Sequence, residues 1–408
     1  MSWEIKKLNE CCISIADGDH LPPPKSESGV PFVTIANVDS YNQFDFTNTM
    51  FVPQSYYDKL DGKRKARTGD ILLTVVGSFG IPILITDDTP FVFQRHIAIL
   101  RPDPQVIDSR FLYYTMFSKS FYAQADAYAI GAAQRTISLT SLRQMKVAVP
   151  DLDTQGRIAD ALSLFDNLID NNNKQISTLE QMAENLYKEW FVSFRFPGHE
   201  NVEYDGKIPA GWEKASLDSV LSKIATGLNP RKNFVLGEGN NYYVTIKNMG
   251  DNNIYLDEKC DKVDDEAIRK INNRSDLQQG DLLFSGIGTI GRVYLINIPT
   301  DNWNISESVF TMRPNQKVSS EFLYLLLLSK DVQNYCQSNA NGAAQKGIRM
   351  ADLKKYSFWL APKPILDDFT KTVKPIIEQV DLIRKANLNL IKQRDLLLPR
   401  LMSGKLEV

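Results

Sequence analysis

The residues Gly286-Ile287-Gly288-Thr289-Ile290-Gly291 have the GxGxxG spacing with which backbone amides at a helix N-terminus hold a pyrophosphate. The flanks argue against that chemistry. A strand-like "DLLFS" precedes the glycines, but "RVYLI", a second strand, follows them where the motif requires a helix. The glycines therefore read as a tight hairpin. Without side-chain bulk, such a hairpin can come close to a phosphate or a groove. The chain has no GxxxxGK[ST] phosphate loop, no GxSxG elbow, no metal-ligand cluster and no Asn/Asp-Pro-Pro-aromatic signature, for which "LPPPK" at 21–25 does not qualify. Asp257-Glu258-Lys259 reads as a solvated turn. The expectation is a binder that is not itself an enzyme, with no catalytic residue and no metal.

The hairpin is used twice. "GDILLTVVGSFG" at 69–80 aligns with "GDLLFSGIGTIG" at 280–291, an offset of 211 residues. Gly131-Ala132-Ala133-Gln134 returns as Gly342-Ala343-Ala344-Gln345 at the same offset, as do Val33-Thr34-Ile35 with Asn37 and Phe111-Leu112-Tyr113. Local slips bring Trp3-Glu4 to Trp212-Glu213 and Arg101-Pro102 to Arg313-Pro314. A long internal period of this kind means one structural unit repeated.

Each copy opens with short alternating apolar runs broken by Gly, Pro, Asn and Asp: "VPFVTIANV", "GDILLTVVG", "IPILIT" and "HIAILRP" in the first half. These read as strands and turns. One helix is expected over "SRFLYYTMFSKSFYAQA", and each copy closes on a long helix. In the first, Ile158, Leu162, Phe165, Ile169, Asn172, Ile176, Leu179, Ala183, Leu186 and Trp190 step by fours and threes, a heptad seam. In the second the seam is Phe369, Val373, Ile376, Val380, Ile383, Asn387, Leu390, Arg394, Leu397 and Leu401. Antiparallel pairing of Ile158 with Leu401 sets Asn172 against Asn387, whereas parallel pairing would bury each amide against isoleucine at a cost of about 1–3 kcal/mol. The two asparagines are thus expected to set the register. At ~1.5 Å per residue, a seam of about 33 residues is a ruler roughly 50 Å long. Tyr187, Phe191 and Phe194 lie off the seam, free to dock a partner or to pack on the heads.

The expected fold class is α+β: two pseudo-twofold-related mixed α/β domains joined by two long antiparallel coiled-coil helices. The 408 residues divide into a first domain (1–153), a first spacer helix (154–194), a linker (195–211), a second domain (212–363), and a second spacer helix with a C-terminal tail (364–408). Composition agrees with a soluble protein, at 43% hydrophobic and 24% charged residues. No run is long and apolar enough for a bilayer and no signal peptide opens the chain, so the expected location is the cytoplasm, with no membrane partner and reduced cysteines. A net charge of −2 offers no global attraction to nucleic acid, so a binding face must come from local segregation of charge, as in "DGKRKAR" at 61–67.

Three segments carry a family resemblance: "LLLPRLMSGKLEV" at the C-terminus, "LYKEWFVSFRFPG" followed by "IPAGWEKASLDSVLSKIATGLNPR" between the repeats, and "VAVPDLDTQGRIADAL" at the entry to the first long helix. They resemble specificity subunits of type I restriction-modification systems, in their order along the chain and over essentially its whole length. The second helix entry, "LAPKPILDDFTKTV", lacks the counterpart of Gln155. The resemblance implies a non-catalytic subunit whose two target recognition domains read a bipartite, asymmetric sequence in double-stranded DNA. It also implies two methylation subunits carrying S-adenosylmethionine, and restriction subunits using ATP and magnesium in the full complex. This chain would hold no cofactor of its own.

Side chains beside the glycine turns are the candidate DNA contacts: Thr74, Ser78, Gln94 and Arg95 in the first head, and Ser285, Thr289, Arg292 and Ser306 in the second. Gln134 with Arg135 and Gln345 with Lys346 can read bases or position phosphates, since Gln pairs two-pronged with adenine while Arg or Lys suits guanine or phosphate. Lys63, Arg64 and Lys65, and Arg231 and Lys232, are specific to one head each and are candidates for telling half-sites apart. Two other function classes remain open at this level: a coiled-coil scaffold that binds only protein, and a tandem-repeat enzyme that binds a nucleotide at its glycine turn.

Overall fold

The computed structural model describes all residues except 1, 2, 21, 22, 39–41, 48, 133, 251, 343–345, 407 and 408. The chain forms two compact units, one of residues 1–172 with 386–408 and one of residues 173–385. Each unit holds one head and one half of each long helix.

The first head carries strands β1 (Glu4–Lys7), β2 (Cys12–Asp17), β3 (Val30–Val33), β4 (Met50–Val52), β5 (Ile71–Thr74), β6 (Pro82–Leu84), β7 (Val92–Phe93), β8 (Ile97–Pro102) and β9 (Lys146–Val149). They pair as an antiparallel four-stranded sheet in the order β2-β8-β5-β6, a three-stranded sheet β4-β3-β7 in which β3 and β7 run parallel, and the antiparallel pair β1-β9. β5 and β8 read as continuous apolar runs because both faces are covered. The second head repeats the plan: Leu221–Thr226, Val309–Pro314, Leu282–Ser285 and Val293–Leu295 form the four-stranded sheet in the same order. Even the irregularity recurs, with register shifts at Cys12/Ser14 and at Leu221/Lys223.

Where one helix is expected there are two, Ser109–Met116 and Lys119–Tyr128. Ser118 breaks the run because its hydroxyl accepts from Phe121 N–H at 3.2 Å and caps a new helix. The first long helix spans Leu152–Tyr187 and ends in a π-helical turn, Lys188–Val192. Gln155, fully buried at its start, accepts from Asp108 N–H at 2.8 Å and donates to the carbonyls of Val106 and Pro150, tying head to helix. Leu366 is buried at the corresponding point of the second long helix, Lys363–Met402, so packing replaces that polar tie.

Within the first unit the long helices run antiparallel: Ile158 shares a core with Leu401, and Asn172 Nδ2 donates to Asn387 Oδ1 at 2.7 Å. Arg394, the charged seam residue, pairs with Asp166 at 2.6 Å, and the Tyr114 hydroxyl donates to the same carboxylate. Burial first, and then Asp166, push the Tyr114 phenol up, so it stays a donor. In the second unit Arg384 takes the equivalent part, donating to Glu180 and to the Asn252 carbonyl of its head. Replacing Asn387 with leucine strands the Asn172 amide, and we expect a loss of about 1–2 kcal/mol in urea unfolding. The N172L/N387L pair should recover most of it; equal stability of the single variant and the parent would argue against a register role. Tyr187 and Phe191 are core residues of the second unit and Phe194, half-buried, packs against that core, so this aromatic face packs on the head.

Candidate nucleic-acid interface

The glycine hairpin and the "GAAQ" loop, 55 residues apart by the first-head numbering of Gly77 and Ala132, meet in space. Gly77 N–H donates to Arg135 O at 2.9 Å and Ile137 N–H to Val75 O; Gly288 N–H donates to Lys346 O at 2.8 Å and Ile348 N–H to Gly286 O. These contacts keep the 211-residue offset at every atom. Positive φ values of 71° at Gly77 and 80° at Gly288 are needed at the hairpin tips, where a side chain would be strained.

Three candidate contacts are corrected by this geometry. Thr74, Ser285 and Ser306 are buried. The Thr74 hydroxyl donates to Ser78 O and accepts from Ile81 N–H; the Ser285 hydroxyl donates to Thr289 O and accepts from Arg292 N–H. They lock the hairpin shut. Ser306 shares a 2.8 Å hydrogen bond with the half-buried Ser308. Hydroxyls closed on their own loops in this way are not available to bases.

The hairpin tips themselves are open. Ser78, Thr289, Gln134 and Lys346 are exposed, as are Arg95, Lys63, Arg231 and Lys232, whereas Gln94 is half-buried. Gln345 lies outside the described residues. Arg135 is half-buried, paired with Asp126 at 2.5 Å and laid over the Phe79 ring at 5.2 Å, which itself stacks on Tyr122. Arg292 donates through Nη1 to the carbonyls of Ile246 and Met249, so its remaining guanidinium edge is held in a fixed orientation. Arg64 faces Asp17 at 3.5 Å and Asp19 at 3.7 Å, and Lys65 donates to Asp58 O, so these two are partly committed within their own head.

The segment at 62–65 bonds to Arg101 near the far end of β8, whereas the glycine hairpin, the "GAAQ" loop bonded to it and the turn before β8 share one end of the four-stranded sheet. It is the end at which β2 and β5 finish and β8 begins; at the other, Asp108 and Gln155 attach the long helix. The placement is the familiar one of variable loops on a rigid sheet. That frame is braced by a buried ion pair in each head. Arg101 grips Asp70 with Nε at 2.9 Å and Nη2 at 2.8 Å; Arg313 grips Asp281 at 2.7 and 2.9 Å.

Burial pushes the thiols of Cys11 and Cys260 up to about 11 and that of Cys336 up to about 12, well away from a thiolate nucleophile near neutral pH. Among the described residues no three His, Cys, Asp or Glu side chains converge on a metal-sized site. After Gly291 the chain continues as the strand Val293–Leu295, so the nucleotide-site geometry is not formed.

Residues 2–181 and 209–393 each match the type I restriction modification DNA specificity domain. The chain belongs to that family. Across its full length it is 25% identical to the MjaIX specificity subunit of Methanocaldococcus jannaschii, covering 94% of that protein. It is 24% identical to the HindI specificity subunit of Haemophilus influenzae, with 92% of this chain and 95% of that one aligned. The crystal structure of the type I S subunit from M. genitalium shares its fold, with a TM-score of 0.54 at 17% identity over 98% of this chain and 96% of that one. As a member of this family the chain is a DNA specificity subunit with two recognition domains. No described helix is long and apolar enough to cross a membrane.

Proposed function

We propose that this specificity subunit reads a bipartite and asymmetric target in double-stranded DNA, one half-site per head, and addresses partner subunits to it. The observation that carries the reading is one scaffold used twice with different exposed chemistry. Bonds that build the loops recur at the 211-residue offset, whereas side chains around the repeated Gln134/Gln345 differ: Ser78 stands against Thr289, Arg135 against Lys346 and Ile81 against Arg292. Identical frames with identical surfaces would favour a palindrome; differing surfaces favour two unrelated half-sites.

The open loops contribute in two ways. Ser78, Gln134, Arg135 and Lys63 in one head, and Thr289, Arg292, Lys346, Arg231 and Lys232 in the other, supply phosphate and base contacts, and the glycine tips let the backbone approach closely. Methylation subunits carrying S-adenosylmethionine modify adenine at the addressed site, and restriction subunits using ATP and magnesium join them in the cytoplasm. This chain provides recognition without catalysis. The test is co-expression with the cognate methylation subunit, followed by single-molecule sequencing for modified adenines. A single split motif that vanishes when this chain is deleted supports the proposal; a modification pattern indifferent to the chain overturns it.

A further inference from the structure

The turn that leads into β8 is built alike in both heads. Ile97 N–H donates to Gln94 O at 3.0 Å, and Val309 N–H donates to Ser306 O at 3.2 Å. The residue after each turn tip, His96 or Ser308, accepts through its carbonyl from the first residue of the glycine hairpin, Val75 or Gly286. Each turn also rests on a glycine with no room for a side chain. A Cβ on Gly18 would lie 2.3 Å from Phe93 O, and one on Gly227 would lie 1.6 Å from Ile305 O. The backbone at this position is therefore fixed from three sides, in register with the hairpin and at the loop end of the sheet.

On that shared frame the heads place opposite charges. The residue following Gln94 is Arg95, and the residue following Ser306 is Glu307. Arg95 is exposed, and no hydrogen bond or ion pair holds its guanidinium among the described residues. Glu307 is half-buried with Oε2 3.4 Å from the Tyr243 hydroxyl. That hydroxyl has one proton and gives it to Leu228 O at 2.6 Å, which leaves the carboxylate with acceptor capacity to spare. One head thus offers an uncommitted five-donor fork and the other a carboxylate with acceptor capacity to spare, at the same point of the same turn.

We infer that positions 95 and 307 are a matched pair of specificity determinants, with Arg95 donating to a guanine in one half-site and Glu307 accepting from a cytosine amino group in the other. The inference rests on the bipartite reading above. Its chemistry follows from base edges: guanine presents two acceptors in the major groove that suit a guanidinium fork, and cytosine presents a donor that suits a carboxylate. A carboxylate near the phosphate backbone repels DNA unless it accepts such a donor, so Glu307 in a DNA-facing turn is explained better by a base than by a phosphate.

The experiment uses the full chain co-expressed with its methylation subunit and reads the modified-adenine motif. R95Q is expected to relax one guanine position of one half-site by about 10- to 100-fold in discrimination and to leave the other half-site intact. E307Q is expected to relax one cytosine position in the opposite half-site. R95K keeps the charge but loses the fork and should also relax the position while methylation continues, so it decides the matter if R95Q yields no modification. Motifs unchanged in both R95K and E307Q, or weakened uniformly across sequences, overturn the pairing while leaving the bipartite reading standing. If the parent complex shows no chain-dependent motif at all, it is the bipartite reading that fails.

Discussion

Replacing Asp70 with alanine should cost about 3–5 kcal/mol, the penalty for stranding one partner of a buried ion pair. Its carboxylate is almost fully buried and accepts both prongs of the Arg101 guanidinium, along with Arg67 N–H at 3.0 Å. Among the described residues Arg101 meets no second carboxylate; what remains are the carbonyls of Lys65 and Gly62. The second head supplies an internal comparison. Arg313 donates to Asp281 in the same way, but it also pairs with Asp276 at 3.2 Å, a carboxylate that Lys223 shares. Asp281→Ala should therefore be the milder change, by about 1 kcal/mol or more, because a charged partner survives. Urea unfolding of the purified chain, followed by a probe in each unit, measures both. Equal losses, or a loss below about 1 kcal/mol at Asp70, would show that the pairs do not brace the sheet.

Much of this frame was legible in the sequence because it is periodic. The 211-residue repeat, the period-two strand runs and the fours-and-threes seam are signals that extend over many residues, and chance imitates them poorly. The meeting of Asn172 and Asn387 followed from the same periodicity, since each seam holds a single amide and only antiparallel pairing lets the two satisfy each other. Single-residue decisions were less visible. Ser118 divides the helix after Phe111 through one hydroxyl cap, and nothing in the apolar spacing records that. Tyr187, Phe191 and Phe194 fall off the heptad stripe and so read equally well as an outer face, yet the head folds back over them. Position beside the glycine turns makes Thr74 and Ser285 candidate DNA contacts by sequence, whereas their hydroxyls close those hairpins. Glu307 carries no pattern of its own, being an isolated acid in a turn. The signal was present nonetheless: at the local offset of 212 that aligns Arg101 with Arg313, Arg95 faces Glu307.

The largest expected effect in the second unit comes from Phe369→Ala. Phe369 is fully buried where the second long helix enters its head, and its ring meets Phe191 at 4.7 Å edge to face, Trp190 at 5.4 Å and Tyr187 at 6.3 Å. Truncation removes that burial and leaves a cavity walled by rigid rings that cannot collapse into it, so the loss should lie near the upper part of the usual 3–5 kcal/mol for Phe→Ala. Its repeat partner, Ile158, sits instead in the core of the first unit, which also holds Leu162, Leu398 and Leu401. Ile158→Val deletes one methylene and should cost about 0.5–1.5 kcal/mol. The contrast tests a specific claim about the spacer helices: each is anchored by its own head, through different chemistry at the same heptad position. If that is right, Phe369→Ala lowers the unfolding midpoint of the second unit and leaves a probe near Ile158 almost unmoved, because that probe's core is built from the other head. A common, equal shift at both probes would mean that the continuous helices couple the two units into one cooperative transition, and that the anchors cannot be assigned head by head.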